Sequence, residues 1–580
     1  MFRNFTQRKV IRYGRNISDL QERNVGSSST SSNTDEGENT NKIHSLIPLN
    51  LFQTWHTLDL PNDMEKNVEL LKHQNPEFKY FLFDDKMCRD FIKDNFSCDT
   101  VWAFDKLKPG AYKADLWRYC VLYIHGGIYL DIKFKCINGF KLIELTDKEY
   151  WVKDRKVTDI NGIYQALLIT FPKNEILWDC IQDIIRNCKN NTFSVSSLII
   201  SGPSLIGRYF NEVQYKRMNL LYNGNEIVHQ NNPILTHYSQ YRNEQHKNQI
   251  EKHYSILWNE RNVYNYTILK EKLRREFTNS IEEDGSTFYS SNIFIMESID
   301  SSKYLVCRRW INYRYDKIFG YKSNIPKQYK SLTSKFYLDS KFDTITNEDE
   351  YFLEDECYKR SDFLQQWSIG HEDMRILYFD RKLYTICTVN NPENKLPAMS
   401  SDIFQSENEM KTLKPNIIKP SFYGNNKTVE KNWSFVNYKN QLYVVYNWYP
   451  LQLGTINYDI KQLDIVEVKY NMPTYFQDAR GGSPGYNYSQ EIWFILHKSQ
   501  QFAKSKNIHF HYQHFFAVFD SNMNYLRSSE LFKLGEHPIE FCTGLIIKNN
   551  EIILSYGLED TKSIIAVYDK SYVENEIKWF

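Results

Sequence analysis

Four side chains in the run PGAYKADLWRYCVLYIHGGIYLDIKFKC, residues 109–136, place acids beside bases at spacings that suit a sugar joined to phosphate. Asp115 and Arg118 stand three apart, so in a helix they share one face. Asp131 and Lys133 stand two apart, so in a strand they point to the same side. A carboxylate at the carboxyl end of a strand can hold a ribose hydroxyl or a metal-bound diphosphate. An ammonium two places further on would repel a metal but can itself meet phosphate oxygens. A second set of charged, turn-adjacent residues runs through GHEDMR (370–375), EKNWSF (430–435), RGGSP (480–484), ILHKS (495–499), IEFCTGL (539–545) and YGLED (556–560). A solvated loop explains any one of these, but not the ordered series. In a propeller such residues converge on a central channel although they are far apart in sequence.

The elements that must position them read as two different rhythms. From residue 45 to 270, short apolar runs such as LIPLNLFQTW, FKYFLF and ALLITF alternate with helical patterns such as MEKNVELLKHQ and ILWDCIQDIIRNC, an α/β order. Within it, Ala111 to Tyr123 carry helical periodicity, Gly126 and Gly127 close the helix, and a strand follows with Ile128, Leu130, Ile132 and Phe134 on one side. Tyr129, Asp131, Lys133 and Lys135 take the other side. Residues 1–44 include NVGSSSTSSNTDEGENTNK, which has too little apolar surface to offset ordering, and are expected to form a disordered tail. The charged stretch 271–286 is expected to be a linker, with a helix spanning about 265–285. From 287 to 580, aromatic-rich strand pairs such as QLYVVYNW, EIWFILH and IILSYG predict an all-β domain, and about 290 residues of them suit a propeller of four-stranded blades.

Composition excludes several classes. The chain has 580 residues with 72 basic and 71 acidic side chains, so no overall field favours nucleic acid or an anionic membrane. Its ten cysteines show no C-x-x-C pair or zinc spacing, which points to reduced thiols. The amino terminus lacks an apolar signal region, and no run is apolar enough to span a bilayer, so the expectation is a cytoplasmic protein with no membrane partner.

The segment ADLWRYCVLYIHGGIYLDIK, preceded by IPLNLFQTWHTLDLP and NPEFKYFLFDD, resembles the DXD-type glycosyltransferases of family 32, related to the yeast initiating α-mannosyltransferases. NGIYQALLITFPKNEIL, SGPSLIGRYF and HYSILWNERNVY follow in the order of that family. The resemblance implies a GT-A fold and a retaining transfer of a hexose from a UDP- or GDP-linked sugar to a glycan or glycoprotein. Trp55 would lie near the base, Asp115 and Arg118 would hold the donor sugar, Asp131 would serve the ribose or a Mn2+ or Mg2+ ion, and His253 and Trp258 would close over the donor. Lys133 stands where the family carries its second acid. This leaves three readings: a metal-independent transferase, a metal held by other groups, and an inactive binding domain.

The second series resembles the five-bladed propellers of glycoside hydrolase family 130, the mannoside phosphorylases and hydrolases. By that resemblance Asp373 would be the proton donor of an inverting reaction. Arg375, Lys431, Asn432, Arg480 and His497 would bind phosphate or glycan, and Asp560 a sugar hydroxyl. Met374 replaces a frequent proline, and FIMESI (294–299) stands where the family shows an Asn-Pro-Ser turn. The whole reads as a transferase joined to a propeller that binds, hydrolyses or phosphorolyses glycan. The competing reading is an inactive carbohydrate-binding or particle-surface protein.

Overall fold

The computed structural model describes residues 45–580 apart from 158–159, 300–301, 317–319, 324–328, 346–349, 358–368, 392, 395, 423–428 and 505–506. The expected tail, 1–44, lies outside the described residues. The chain divides between Asn265 and Tyr266.

The first unit opens with strand β1 (Asn50–Thr54), helix α1 (Asn62–Gln74) and strand β2 (Lys79–Phe83), and β1 and β2 pair in parallel. Helices α2 (Asp85–Asn95), α3 (Cys98–Lys106) and α4 (Gly110–His125) lead to β3 (Gly127–Leu130), which pairs in parallel with β1. After β4 (Phe134–Cys136) come β5 (Tyr150–Val157) and β6 (Ile160–Thr170), and β6 runs antiparallel to β3. With β7 (Leu220–Asn223), β8 (Glu226–His229) and β9 (Asn232–His237) these make a nine-stranded sheet in the order β2-β1-β3-β6-β5-β7-β8-β9-β4. Strands β3 and β4 are third and last in that order, yet only Asp131, Ile132 and Lys133 separate them. Three linking residues reach about 14 Å, whereas six strand spacings of a flat sheet span about 29 Å. The sheet therefore curls back on itself, and the Asp131–Lys133 turn bridges its ends.

This corrects the expected alternation. The strand stops at Leu130, and a turn closed by Phe134 N–H donating to the Asp131 carbonyl at 3.1 Å takes its place. Helix α4 is buried almost all round, with Leu116, Trp117, Tyr119, Cys120, Val121 and Leu122 fully enclosed, as expected of a helix in the middle of a unit. Its exit requires both glycines. Gly126 has φ 61°, and a Cβ on Gly127 (φ 114°) would lie 2.5 Å from the Asn50 carbonyl oxygen. Only a glycine pair lets β3 leave the helix and lie this close to β1.

Among the described residues of the second unit, five sheets of three to seven strands follow one another along the chain. Their principal strands are Ser286–Glu297, Tyr304–Ile311 and Ser331–Leu338; Glu372–Phe379, Lys382–Asn390 and Pro397–Phe404; Ser434–Tyr438, Gln441–Trp448, Leu451–Asn457 and Gln462–Lys469; Glu491–Lys504 and Asn507–Asp520; and Glu540–Lys548, Glu551–Leu558 and Lys562–Asp569. Ser286–Glu297 packs on Glu372–Phe379 and on Glu540–Lys548, Glu372–Phe379 on Ser434–Tyr438, and Glu491–Lys504 on Glu540–Lys548. Two-residue turns with positive φ at both positions, such as Asp380–Arg381, Lys439–Asn440 and Asn549–Asn550, join many of the hairpins.

The expected linking helix is absent. Leu273–Phe277 pairs antiparallel with Lys562–Asp569 as the outer strand of the last sheet, and Ser280–Glu283 forms a hairpin with Ser286–Glu297. LRREF carries a period of two as well as charge: Leu273 and Phe277 pack on the core while Arg274 and Glu276 pair at 2.7 Å on the opposite side. An open sheet edge decided between helix and strand. The turn Asp284-Gly285, with φ 50° and 68°, was the sequence signal for the hairpin.

Gly127→Ala should destabilise the first unit by about 2–4 kcal/mol, from the strained φ and the clash with Asn50. Gly110→Ala, whose added methyl meets nothing within 4 Å, should change stability by less than about 0.5 kcal/mol. Denaturant midpoints of the two variants compare them directly, and equal midpoints would refute the close-approach argument.

Candidate functional site

At the carboxyl end of β3 the four charged residues form a continuous chain. Lys133 Nζ lies 2.7 Å from Asp131 Oδ2, Arg118 Nη1 lies 3.4 Å from Asp131 Oδ1, and Arg118 Nη2 lies 3.5 Å from Asp115 Oδ1. Tyr129 Oη donates to Asp131 Oδ1 at 2.8 Å, Arg118 Nη1 to the Gln165 carbonyl at 2.6 Å, and Ser201 Oγ to Asp115 Oδ2 at 2.8 Å. The Arg118 guanidinium also lies 4.2 Å from the Tyr129 ring centre, a favourable cation–π placement. The Asp131 side chain keeps 23% of its surface exposed, against 9% for Asp115 and 6% for Arg118. Ligands can therefore reach Asp131 and Lys133, while Asp115 and Arg118 stand behind them. Burial alone would raise the Asp131 pKa, but Lys133 and Arg118 hold it well below the ordinary carboxylate range. Burial likewise opposes the charge on Lys133, and Asp131 outweighs it, so the ammonium pKa is raised.

Aromatic side chains surround this chain of charges. Lys133 Nζ lies 5.6 Å from the Phe134 ring and 5.3 Å from that of Tyr164, which stacks on Tyr222 at 3.8 Å. Trp55, just after β1, packs against the cluster of Met64, Val68, Ile132 and Tyr238, as Tyr241 does. His253 caps the short helix Tyr254–Asn259, Trp258 lies under the Arg261 guanidinium at 4.5 Å, and that helix packs on α4. Sequence reasoning placed Tyr129 on the side of Asp131 without giving it a role, and it missed Gln165 and Ser201, although NGIYQALLITF and SGPSLIGRYF contain them.

The DXD family implies a divalent cation, and the residues present do not fit one. Both Asp131 oxygens already face cations or a hydroxyl donor, and an ammonium occupies the place of the second acid. Asp131 is thus not disposed as a metal ligand, which bears on the readings that the sequence left open. Asp355, Cys357 and His371 in the second unit lie close enough to hold an ion. However, His371 Nδ1 and N–H engage Asp355 Oδ2, each at 2.8 Å, and the Cys357 N–H engages Oδ1 at 2.8 Å. These three form a buried His–Asp hydrogen-bonded pair with its backbone support.

The five sheets of the second unit bring a second charged group together. Asp373 Oδ1 accepts from Asn292 Nδ2 at 2.6 Å and from Arg309 Nη1 at 3.0 Å. Arg309 also reaches Glu372 at 3.2 Å, Tyr313 Oη at 2.8 Å and Ser331 Oγ at 2.9 Å. Lys431 Nζ lies 3.5 Å from Glu372 Oε2, and Ser291 Oγ donates to Asp560 Oδ1 at 3.1 Å. His497 is paired across the strands with Arg480 and stacks on Tyr512 at 5.6 Å; Tyr512 in turn feels the charges of Asp560, Arg480 and Asp373. Asp373 (φ 53°) sits in a β-bulge and Asn432 has φ 63°, strained conformations of the kind found at ligand sites.

One expectation changes here. Arg375 is fully buried and donates to the Gly482, Gly481 and Asp373 carbonyls, with Asn432 Oδ1 at 3.5 Å, so it ties sheets together rather than facing an anion. Burial would raise the Asp373 pKa, but Arg309, Asn292, Arg375 and Lys431 outweigh it and hold the group as a carboxylate. Asn292, two residues before FIMESI, was missed, although a lone Asn inside the apolar strand SSNIFIM was a visible signal.

Comparison with known proteins fits the first unit. Residues 61–151 match the family described as "Glycosyltransferase sugar-binding region containing DXD motif". The match covers part of the first unit and marks that part as similar to glycosyltransferases of this type. Inositol phosphoceramide mannosyltransferase 2 of Schizosaccharomyces pombe is 30% identical over 173 residues, 30% of this chain and 48% of the relative. An uncharacterized glycosyltransferase of Acanthamoeba polyphaga mimivirus is 38% identical over 123 residues, 20% of this chain and 49% of the relative. The chain spans about half the length of these curated relatives. Among solved structures, one described under the family 130 mannoside phosphorylases, with hydrolases that target β-1,2 mannosidic linkages in Candida mannan, aligns over 53% of this chain and 97% of its own, at 13% identity and a TM-score of 0.38. No helix among the described residues is long and apolar enough to cross a membrane.

Burial raises the Asp115 pKa to about 6 from a reference value of 3.8. Between roughly pH 4 and 6 the folded state then binds more protons than the unfolded chain, so stability falls as pH rises through that window. Asp115→Asn should remove on the order of 2 kcal/mol of that fall. Unfolding midpoints at pH 4, 5 and 6 test this, and parallel profiles for the variant and the native protein would refute it.

Proposed function

We propose that the first unit transfers a hexose from a nucleoside diphosphate sugar to a glycan or glycoprotein hydroxyl, with retention, on a GT-A fold. The observation that carries this reading is the charged chain Asp115–Arg118–Asp131–Lys133 at the carboxyl end of β3, where its exposed end can meet a ligand. The parallel β1-α1-β2 start and the adjoining β3 support the nucleotide-binding half of such a fold. Asp131, held ionised, would accept a ribose or sugar hydroxyl. Arg118, with its N–H groups committed to Asp131, Asp115 and Gln165, would fix the acids in place. Trp55 would flank the base, and Asp115 would border the sugar from behind. The mannosyltransferase names of the relatives favour a mannosyl or similar hexosyl donor, linked to UDP or GDP.

We read the second unit as a five-bladed propeller that binds or processes mannoside-like glycans. Five successive sheets, packing of the first on the last, and completion of the last sheet by Leu273–Phe277 support this reading. Convergence of Asn292, Arg309, Glu372, Asp373, Lys431 and Asp560 from different sheets supports a ligand site there. Lys431, Arg480 and His497 are the candidates for phosphate or glycan contacts, with Asn432 beside them.

Incubation of the full chain with a panel of UDP- and GDP-sugars, read as released nucleoside diphosphate, tests the transfer. At least one donor should turn over, and Asp131→Asn should lower its rate by about 10²-fold or more. Release from no donor would favour the inactive carbohydrate-binding reading. For the second unit, Asp373→Asn should abolish phosphate-dependent cleavage of mannoside oligosaccharides, or weaken their binding by about tenfold if no cleavage occurs. Unchanged binding and cleavage would remove Asp373 from the site.

A further inference from the structure

We infer that the first unit meets the donor's diphosphate without a divalent cation, the Lys133 ammonium supplying the neutralising charge. This rests on the transfer reading above and specifies how its site handles charge.

Three observations converge on it. A Mn2+ or Mg2+ ion bound by Asp131 would need a carboxylate oxygen at about 2.0–2.2 Å. Asp131 Oδ2 instead has the Lys133 ammonium 2.7 Å away, and Oδ1 has Tyr129 Oη at 2.8 Å and Arg118 at 3.4 Å. A dication at either oxygen would face a fixed positive charge, whereas a phosphate oxygen would be attracted by it. The second observation is that Lys133 is held in position. Its carbonyl accepts the Tyr238 N–H at 3.0 Å, and the Phe134 and Tyr164 rings flank its ammonium. One of its three N–H donors serves Asp131. With 15% of its side chain exposed, the ammonium can direct another to an incoming phosphate oxygen. The third is the arrangement of charge. Arg118 stands behind Asp131, with its guanidinium committed to Asp131, Asp115 and the Gln165 carbonyl, so Lys133 is the cation of the cluster with the more exposed side chain.

In the transfer, the bond between the sugar C1 and the diphosphate oxygen breaks, with its electron pair going to that oxygen. The acceptor oxygen forms the new bond to C1 on the same face, and the acceptor proton passes to the departing diphosphate. Lys133 donates a hydrogen bond to the oxygen on which negative charge develops, and it remains protonated throughout.

The test compares binding of UDP and of GDP to the full chain by titration calorimetry, in chelator and in Mn2+, for the native protein, Lys133→Ala, Lys133→Gln and Lys133→Asp. The native protein should bind one nucleotide with affinities within about twofold in the two buffers. Lys133→Ala and Lys133→Gln should lose about 10–100-fold in both. Lys133→Asp recreates an acidic pair and should bind well only with Mn2+, which it should also bind alone, as followed by Mn2+ electron paramagnetic resonance; the native protein should not. Native binding that requires Mn2+ overturns the inference and leaves the transfer reading standing, as does unchanged affinity in folded Lys133→Ala or Lys133→Gln. Binding of neither nucleotide in either buffer overturns the transfer reading, and this inference falls with it. The native comparison needs no variant, so misfolding of any variant leaves the inference testable.

Discussion

The Asp131 carboxylate, held between the Lys133 ammonium and the Arg118 guanidinium, is the contact on which the first unit depends. A carboxylate this enclosed stays charged only with close positive partners, and here one comes from the preceding helix and the other from the following turn. The rest of the unit keeps those partners in register. Helix α4 is buried on nearly every side so that Arg118 can reach inward. Gly126 and Gly127 let the chain reverse within two residues onto β1. The curled sheet brings β4 and β9 back beside the turn, where Tyr238 fastens the Lys133 backbone. Removing any one of these leaves a charge without its partner, and that cost exceeds what most surface ion pairs contribute.

The second unit solves a related problem with different parts. Asp373 is also held ionised by an arginine, but Arg309 comes from another sheet, and the pair is steadied by Asn292, Tyr313 and Glu372. Asp373 adopts a left-handed backbone conformation inside a bulge, which turns its carboxylate toward Asn292 and Arg309. Next to it in sequence, His371 forms a buried pair with Asp355, and Arg375 binds the backbone carbonyls of Gly481 and Gly482. Three nearby residues of one strand region thus lock three different sheets together, so that Glu372 and Asp373 are held by their neighbours on both sides.

Much of this was legible in the sequence because local chemistry and tertiary structure agree. His125-Gly126-Gly127 announces the helix exit, the period of 62–74 and 175–190 announces helices, and paired turn residues announce most of the hairpins. Reading failed where a distant partner decided. Residues 273–277 carry enough charge to suggest a solvated helix, and only the free edge of the last sheet, nearly 300 residues further on, makes them a strand. Arg375 has the type of a ligand-binding residue, yet burial assigns its donors to backbone. Asn292 and Arg309 had no local pattern linking them to Asp373. Period-two alternation through Phe134 predicted the correct neighbours for Asp131 for the wrong reason: they meet across a turn, not along a strand.

That turn explains why one residue type can change the chemistry of the site. In a straight strand, side chains two apart project in parallel and can stay well separated. In the Asp131-Ile132-Lys133 turn they converge to 2.7 Å. Two carboxylates brought this close would repel strongly and would hold together only around a shared cation. A carboxylate and an ammonium need no third charge, and the same backbone then presents a fixed positive group toward the open side. The turn sets how much charge must be neutralised there, and the residue at position 133 decides whether the neutralising charge is borrowed from solution or built into the chain.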